Sequence, residues 1–143
     1  MRLVFFVPGV RGKGRPRFYG GHAVTDSKTR AYEALIKKQA LNAIKEFNKS
    51  NTFELLSKPC AVKLRAFYLV PKSYSKVKRQ CALSGFIRPG KPDADNIVKS
   101  ILDGMNKVVF DDDKSVYQVS IEKIYSDTLE GVEVVVEWND DTD

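Results

Sequence analysis

Residues 93–125 read "DADNIVKSILDGMNKVVFDDDKSVYQVSIEKIY". Ile97, Val98, Ile101, Leu102 and Met105 fall at i, i+1, i+4, i+5 and i+8, the stripe of an amphipathic helix. Past "VVF" the pattern changes. "SVYQVSIEKIY", 115–125, is rich in β-branched and aromatic residues and reads as a strand. A helix feeding a strand therefore sits at the centre of this stretch. The same stretch gathers five aspartates into two clusters, at 93 and 95 and at 111–113. Like charges held this close repel unless something positive lies between them.

Outward from this stretch, "GVEVVVEWN", 131–139, reads as a further strand after a turn at "SDTLEG". Upstream, "CAVKLRAFYLV", 60–70, alternates between two faces, and "RLVFFV", 2–7, is a first strand. "FYGGHAVT", 18–25, has the form of a hairpin turning at Gly20-Gly21. A long helix is expected over about 27–48, capped by Asp26 or Ser27. Its apolar positions are Tyr32, Leu35, Ile36, Ala40, Ala43, Ile44 and Phe47, and Lys37, Lys38 and Lys45 face water. Residues 71–92 hold Lys72, Lys76, Lys78, Arg79, Arg88 and Lys91 with no acid. They read as a mobile basic loop with room for a short helix. Residues 140–143 read as a frayed tail.

At 143 residues, 43% hydrophobic and 29% charged, the chain is one domain with a real core, and it is not broadly disordered. No apolar run reaches the roughly 18–20 residues that cross a bilayer. "MRLVFFVPGV" is broken by Pro8 and Gly9 and lacks the cleavage site of a secretory signal. The expectation is a soluble cytoplasmic protein. Cys60 and Cys81 have no partners at zinc-ligand spacing and read as two reduced thiols. Charge is unevenly spread. Residues 1–91 carry 20 Lys and Arg against 4 Asp and Glu, and residues 92–143 carry 4 against 14. A balance of +16 joined to one of −10 is the asymmetry expected when one part grips a polyanion and another does different work.

One carboxylate at the start of the second helix is explained as an N-cap, Asp95 or Asp93, accepting free backbone N–H groups. That accounts for neither the second carboxylate nor the triple aspartate. In an extended segment residues i and i+2 point to the same side, so Asp93 and Asp95 can present two carboxylates together. Lys99 lies one helical turn beyond Asp95. A return through Val108–Phe110 would bring Asp111–Asp113 beside the start of the helix if it runs antiparallel. Carboxylates converging with one lysine form an oxygen-rich place for Mg²⁺, a hard ion often held by a few carboxylates and a substrate phosphate. Such sites perform phosphoryl chemistry. The basic segments, with Arg11, Lys13, Arg15 and Arg17 in one and Lys72–Lys91 in the other, would contact nucleic-acid phosphates. Phe18, Tyr19, Tyr74 and Phe86 lie within or beside them, placed to pack in the core or stack on bases. "DADN" does not follow the buried strand that precedes the Asp-x-Asp of aspartyl-phosphate phosphatases. "DDDKS" lacks the spacing, glycine and terminal Glu of an EF-hand.

Together, "KPDADNIVKSILDGMN" and "VVFDDDKSV" resemble the pattern of the RusA-type Holliday-junction resolvases: Asp-x-Asp-Asn, a lysine four residues past the second Asp, a helix with its own Asp, then Asp-Asp before a strand. "GKGRPRF" and "TDSKTRAYEALI" fit its phage and Gram-positive members, and 71–90 is the part least constrained. The resemblance implies that Asp93 and Asp95 are the first two catalytic carboxylates and Lys99 the catalytic lysine. The third metal ligand is Asp113, or Asp112 with the register shifted by one, and Asp103 has a supporting role. It implies an α/β (α+β) single domain, a small mixed β-sheet packed against two main helices. It also implies a homodimer that makes paired symmetric nicks in a four-way DNA junction with Mg²⁺, for which Mn²⁺ substitutes, and needs neither a membrane nor an organic cofactor. The competing readings are a DNA-binding protein without catalysis and a nuclease or phosphohydrolase of another substrate class.

Overall fold

A computed structural model describes residues 1–14, 17–24 and 26–140, of which 17–19 and 22–24 are described by backbone alone. Arg15 and residues 141–143 of the expected tail lie outside the described residues. In chain order the elements are β1 (Arg2–Pro8), β2 (Arg17–Tyr19), β3 (His22–Val24), α1 (Ser27–Phe47), β4 (Cys60–Leu69), α2 (Lys76–Leu83), α3 (Ala94–Met105), β5 (Val116–Ser126) and β6 (Gly131–Trp138). The fold is α+β, as the sequence implies. β2 and β3 form the small hairpin turning at Gly20-Gly21, and the other strands form one mixed sheet in the order β1-β6-β4-β5.

Alternation along the strands builds a two-layer molecule. Leu3, Phe5 and Val7 of β1, Val62, Leu64 and Ala66 of β4, and Val132, Val134 and Val136 of β6 are buried in one cluster with Tyr32, Ile36 and Ala40 of α1 and Ile97, Ile101 and Met105 of α3. The opposite sheet face carries charged pairs among its apolar residues. Arg65 pairs with Glu133 directly across the β4–β6 ladder at 3.0 Å, and Lys63 reaches Glu137 at 2.9 Å. Exposed pairs of this kind stabilise by only ~0–1 kcal/mol each, so the sheet is held mainly by its apolar face.

The strands on either side of the "SDTLEG" turn are not neighbours in the sheet. β4 lies between them, antiparallel to β6 and parallel to β5. The parallel pair is possible because α3 supplies the long crossover it requires. The basic segment 71–92 contains a short helix, for which the sequence left room. Residues Lys76–Leu83 form α2, capped by the Ser75 hydroxyl, which accepts from the Lys78 N–H at 3.2 Å. The segment is tied to β5 at several points. Tyr74 meets Tyr125 edge-on, Arg88 bonds Glu122 and the Lys123 carbonyl, and Lys123 donates to the carbonyls of Gly90 and Pro92. Cys60 is buried and Cys81 half-buried, and both are free thiols.

Helices α1 and α3 approach each other closely at Gly104. A β-carbon built there would stand 2.7 Å from three side-chain carbons of Ile36. Alanine normally favours a helix over glycine by up to about 1 kcal/mol, but forcing an extra methyl into a packed contact costs about 1–3 kcal/mol. Gly104→Ala is therefore expected to lower the unfolding free energy by about 1–2 kcal/mol, read by denaturant titration. Pairing it with Ile36→Ala should recover part of the overlap cost, and additive losses would place the strain elsewhere.

Candidate metal-binding and nucleic-acid site

Helix α3 turns two different faces to its surroundings. At about 100° per residue, positions 97, 101, 104 and 105 share one side and positions 95, 99, 102 and 103 the other. Because Ile97, Ile101, Gly104 and Met105 are buried, Asp95, Lys99 and Asp103 are turned outward along the helix. There they meet β5. A cavity of about 400 Å³ is lined by Asp95, Val98, Lys99, Leu102, Asp103, Asp113, Val119 and Ile121. Its lining combines four apolar residues with three carboxylates and one ammonium.

The triple aspartate reaches this cavity through a compact turn. After α3, Lys107 adopts a left-handed backbone with φ 68° and donates its N–H to the Phe110 carbonyl at 2.8 Å. Val109 and Phe110 are fully buried, so "VVF" anchors the turn in the core. The three aspartates then take different tasks. Asp111 pairs with Lys107 at 3.1 Å. Asp112 caps a single 3-10 turn, Asp113–Ser115, by accepting from the Lys114 N–H at 2.9 Å. Asp113 faces the cavity.

Asp112 and Asp113 shift each other's acidity in opposite directions. Asp112 is held below the ordinary carboxylate value by the Lys114 N–H and then by its hydrogen bond with Asp113. Asp113 is pushed above the ordinary value, first by that hydrogen bond, then by desolvation and by the negative charges of Asp112 and Asp103.

The first aspartate of "DADN" lies elsewhere. Asp93 is the N-cap residue of α3, and its side chain makes no capping hydrogen bond. The segment is not the extended one the sequence reading assumed, because α3 begins at Ala94, between Asp93 and Asp95. Asp93 lines a second depression, about 580 Å³, with Arg11, Gly12, Lys28, Lys91 and Asn96 among its walls. Among the described residues no three acidic or other metal-ligating side chains stand close enough to enclose one ion. The cavity carboxylates on α3 run along its flank from Asp95 in the first turn to Asp103, eight residues apart, about 12 Å of helical rise.

The basic residues divide in the same way. Arg11, Lys72, Lys76, Lys78 and Lys91 are exposed and Arg79 is half-buried. Lys78 places its ammonium over the Tyr74 ring at 4.2 Å, and Phe86 is 85% exposed. Arg88 is occupied on β5. Arg15 is outside the described residues, and Arg17 is described by its backbone alone. Lys13 is ion-paired with Asp103, a pairing across 90 residues of chain that no local pattern announces. Lys28 and Asn96, on the wall beside Asp93, were likewise not singled out by spacing or composition. Among the described residues no helix is long and apolar enough to cross a membrane.

A family model described as Endodeoxyribonuclease RusA matches residues 8–137. The "Uncharacterized protein YqaN" of Bacillus subtilis (strain 168) is 34% identical over 76 residues, covering 51% of this chain and 54% of that protein. The chain thus spans about half the length of the curated relative it matches.

The raised Asp113 has a consequence for stability. A carboxyl that holds its proton more tightly when folded favours folding at low pH, and its charge opposes folding once pH rises through the folded value. Asp113→Asn removes that charge. With chelator present, it is expected to melt at a higher temperature than the wild type at pH 7. The gap should close as pH falls toward ~4, the ordinary carboxylate range. A lower melting temperature at pH 7 would mean that Asp113 is a structural ligand of the 3-10 turn.

Proposed function

We propose, because this chain belongs to the Endodeoxyribonuclease RusA family, that it is a divalent-cation-dependent endonuclease that resolves four-way DNA junctions by paired symmetric nicks, working as a homodimer. The observation that carries the reading is the cavity shared by Asp95, Lys99, Asp103 and Asp113, beside a strand that also anchors a basic segment. The donor set fits Mg²⁺. Its oxygens are hard carboxylates from two elements, and Mg²⁺ is commonly held by one or two carboxylates, several waters and a substrate phosphate rather than by a closed protein cage. Asp113 with Asp95 would hold the ion, Asp93 would join from the adjoining depression, and Asp103 would support them. Mn²⁺ would substitute, and no organic cofactor is called for.

When bound, the ion supplies Lewis-acid stabilisation of the phosphate and of the departing oxygen. The protein's own part is electrostatic and positional. Lys99 would donate from Nζ to a non-bridging oxygen of the scissile phosphate, where negative charge grows as the attacking oxygen adds. Val98, Leu102, Val119 and Ile121 supply the apolar part of the cavity lining, which strengthens each charge interaction there. Lys72, Lys76, Lys78, Arg79, Lys91 and Arg11 would follow the DNA backbone. The exposed Phe86 is available for stacking on a base at the branch. Two cuts placed symmetrically in one junction require two such sites, which a two-fold homodimer supplies.

The test uses a labelled four-way junction, the matching linear duplex and single-stranded RNA, each with and without Mg²⁺. Paired nicks confined to the junction and to the metal-containing reaction are expected. A mobility shift without cutting would make the protein a binding module instead. Asp95→Asn should abolish cleavage with junction binding retained. Lys99→Ala should slow cleavage roughly 10²–10³-fold with a much smaller change in affinity. Replacing Lys72, Lys76 and Lys78 by Ala should weaken binding and flatten the slope of log K against log salt by about one for each phosphate no longer neutralised. An unaltered slope would put the DNA on another face.

A further inference from the structure

Residues 12–14, "GKG", thread between two helices. A β-carbon at Gly12 would stand 3.0 Å from Pro92 and 3.1 Å from Asn96 at the start of α3. One at Gly14 would overlap the Asp26 carboxylate and the Thr29 hydroxyl at the start of α1. The Gly14 N–H donates to that hydroxyl at 3.0 Å. The backbone on both sides of Lys13 is thus held against fixed elements. From this strap the Lys13 side chain, 27% exposed, reaches Asp103, 22% exposed, on the wall of the carboxylate cavity.

We propose that Lys13 is the resident counter-ion of this cavity: in the metal-free protein its ammonium occupies Asp103, and a divalent cation entering the cavity displaces it. The proposal rests on the reading above that the cavity takes such a cation. Three carboxylates around one cavity repel, and a tethered ammonium offsets part of that repulsion. An incoming cation meets the same ammonium as a like charge and as a competitor for Asp103. Released from Asp103, Lys13 remains on the basic segment that begins at Arg11, where a DNA phosphate can receive it. Metal loading and phosphate binding would then favour each other reciprocally, because each removes Lys13 from the other's way.

A purely structural strap and a displaced counter-ion predict opposite signs. Mn²⁺ binding is measured on the DNA-free protein by calorimetry or electron paramagnetic resonance, for the wild type, Lys13→Gln, Lys13→Met, Lys13→Arg and Asp113→Asn. The neutral variants should bind Mn²⁺ roughly fivefold more tightly than the wild type, the scale of one partly exposed ion pair. Lys13→Arg should stay close to wild type, and Asp113→Asn should lose binding. Neutral variants that fold, as judged by circular dichroism, yet bind Mn²⁺ equally or more weakly overturn the proposal and leave the metal site standing. A wild type that takes up no Mn²⁺ removes both. The wild type also provides a readout that needs no variant. Acylation of lysine amines followed by mass spectrometry should find Lys13 protected in chelator and reactive in Mn²⁺, and unchanged labelling of a protein that has bound Mn²⁺ overturns the displacement.

Discussion

The close seating of Gly104 against Ile36 governs where the charged groups of this protein can lie. Helix α3 must bury Ile97, Ile101 and Met105 against α1 and the sheet, and only a residue without a side chain lets the two helices come close enough there. With that face committed, Asp95, Lys99 and Asp103 are turned to the other side. Rotating α3 by one residue, about 100°, would carry a charged group toward the core, at a cost of several kcal/mol if it were left unpaired. The line of functional groups is thus enforced by the packing of apolar ones behind it.

The second half of the site comes from the strand that follows. β5 lies parallel to β4 at the edge of the sheet, so the chain must cross over through α3 and return along its flank. The return brings Val119 and Ile121 into one lining with the carboxylates, Asp113 of the 3-10 turn among them. The same strand holds the basic segment through Tyr125, Glu122 and Lys123. One edge strand therefore anchors the parts of the chain that carry opposite charge, and the imbalance along the sequence becomes a juxtaposition in space.

The cavity also gathers carboxylates that repel one another. Asp113 holds its proton above the ordinary range because Asp112 and Asp103 are near it. A site that keeps carboxylates together in this way trades stability for affinity toward a positive partner. Lys99 and Lys13 supply part of the compensation from within the chain, one from the same helix and one from a strap between α1 and α3.

Much of this was legible from residue order because it depends on neighbours along the chain. The stripe of α3, the four-residue steps from Asp95 to Lys99 to Asp103, the alternation of β4, the long α1 and the Gly20-Gly21 turn all follow from local periodicity and turn chemistry. So does the presence of a carboxylate and lysine set beside a basic region. What residue order alone left open is whatever depends on distant partners. The expectation of paired Asp93 and Asp95 carboxylates assumed an extended backbone, whereas α3 starts at Ala94, between them. Three consecutive aspartates are chemically identical in the sequence, and only the turn fixed by Lys107, Val109 and Phe110 assigns Asp111 to an ion pair, Asp112 to a cap and Asp113 to the cavity. The insertion of β4 between β5 and β6, and the reach of Lys13 across the molecule to Asp103, belong to tertiary structure as well. Local spacing sets which face a side chain occupies, whereas the packing of whole elements decides what that face meets.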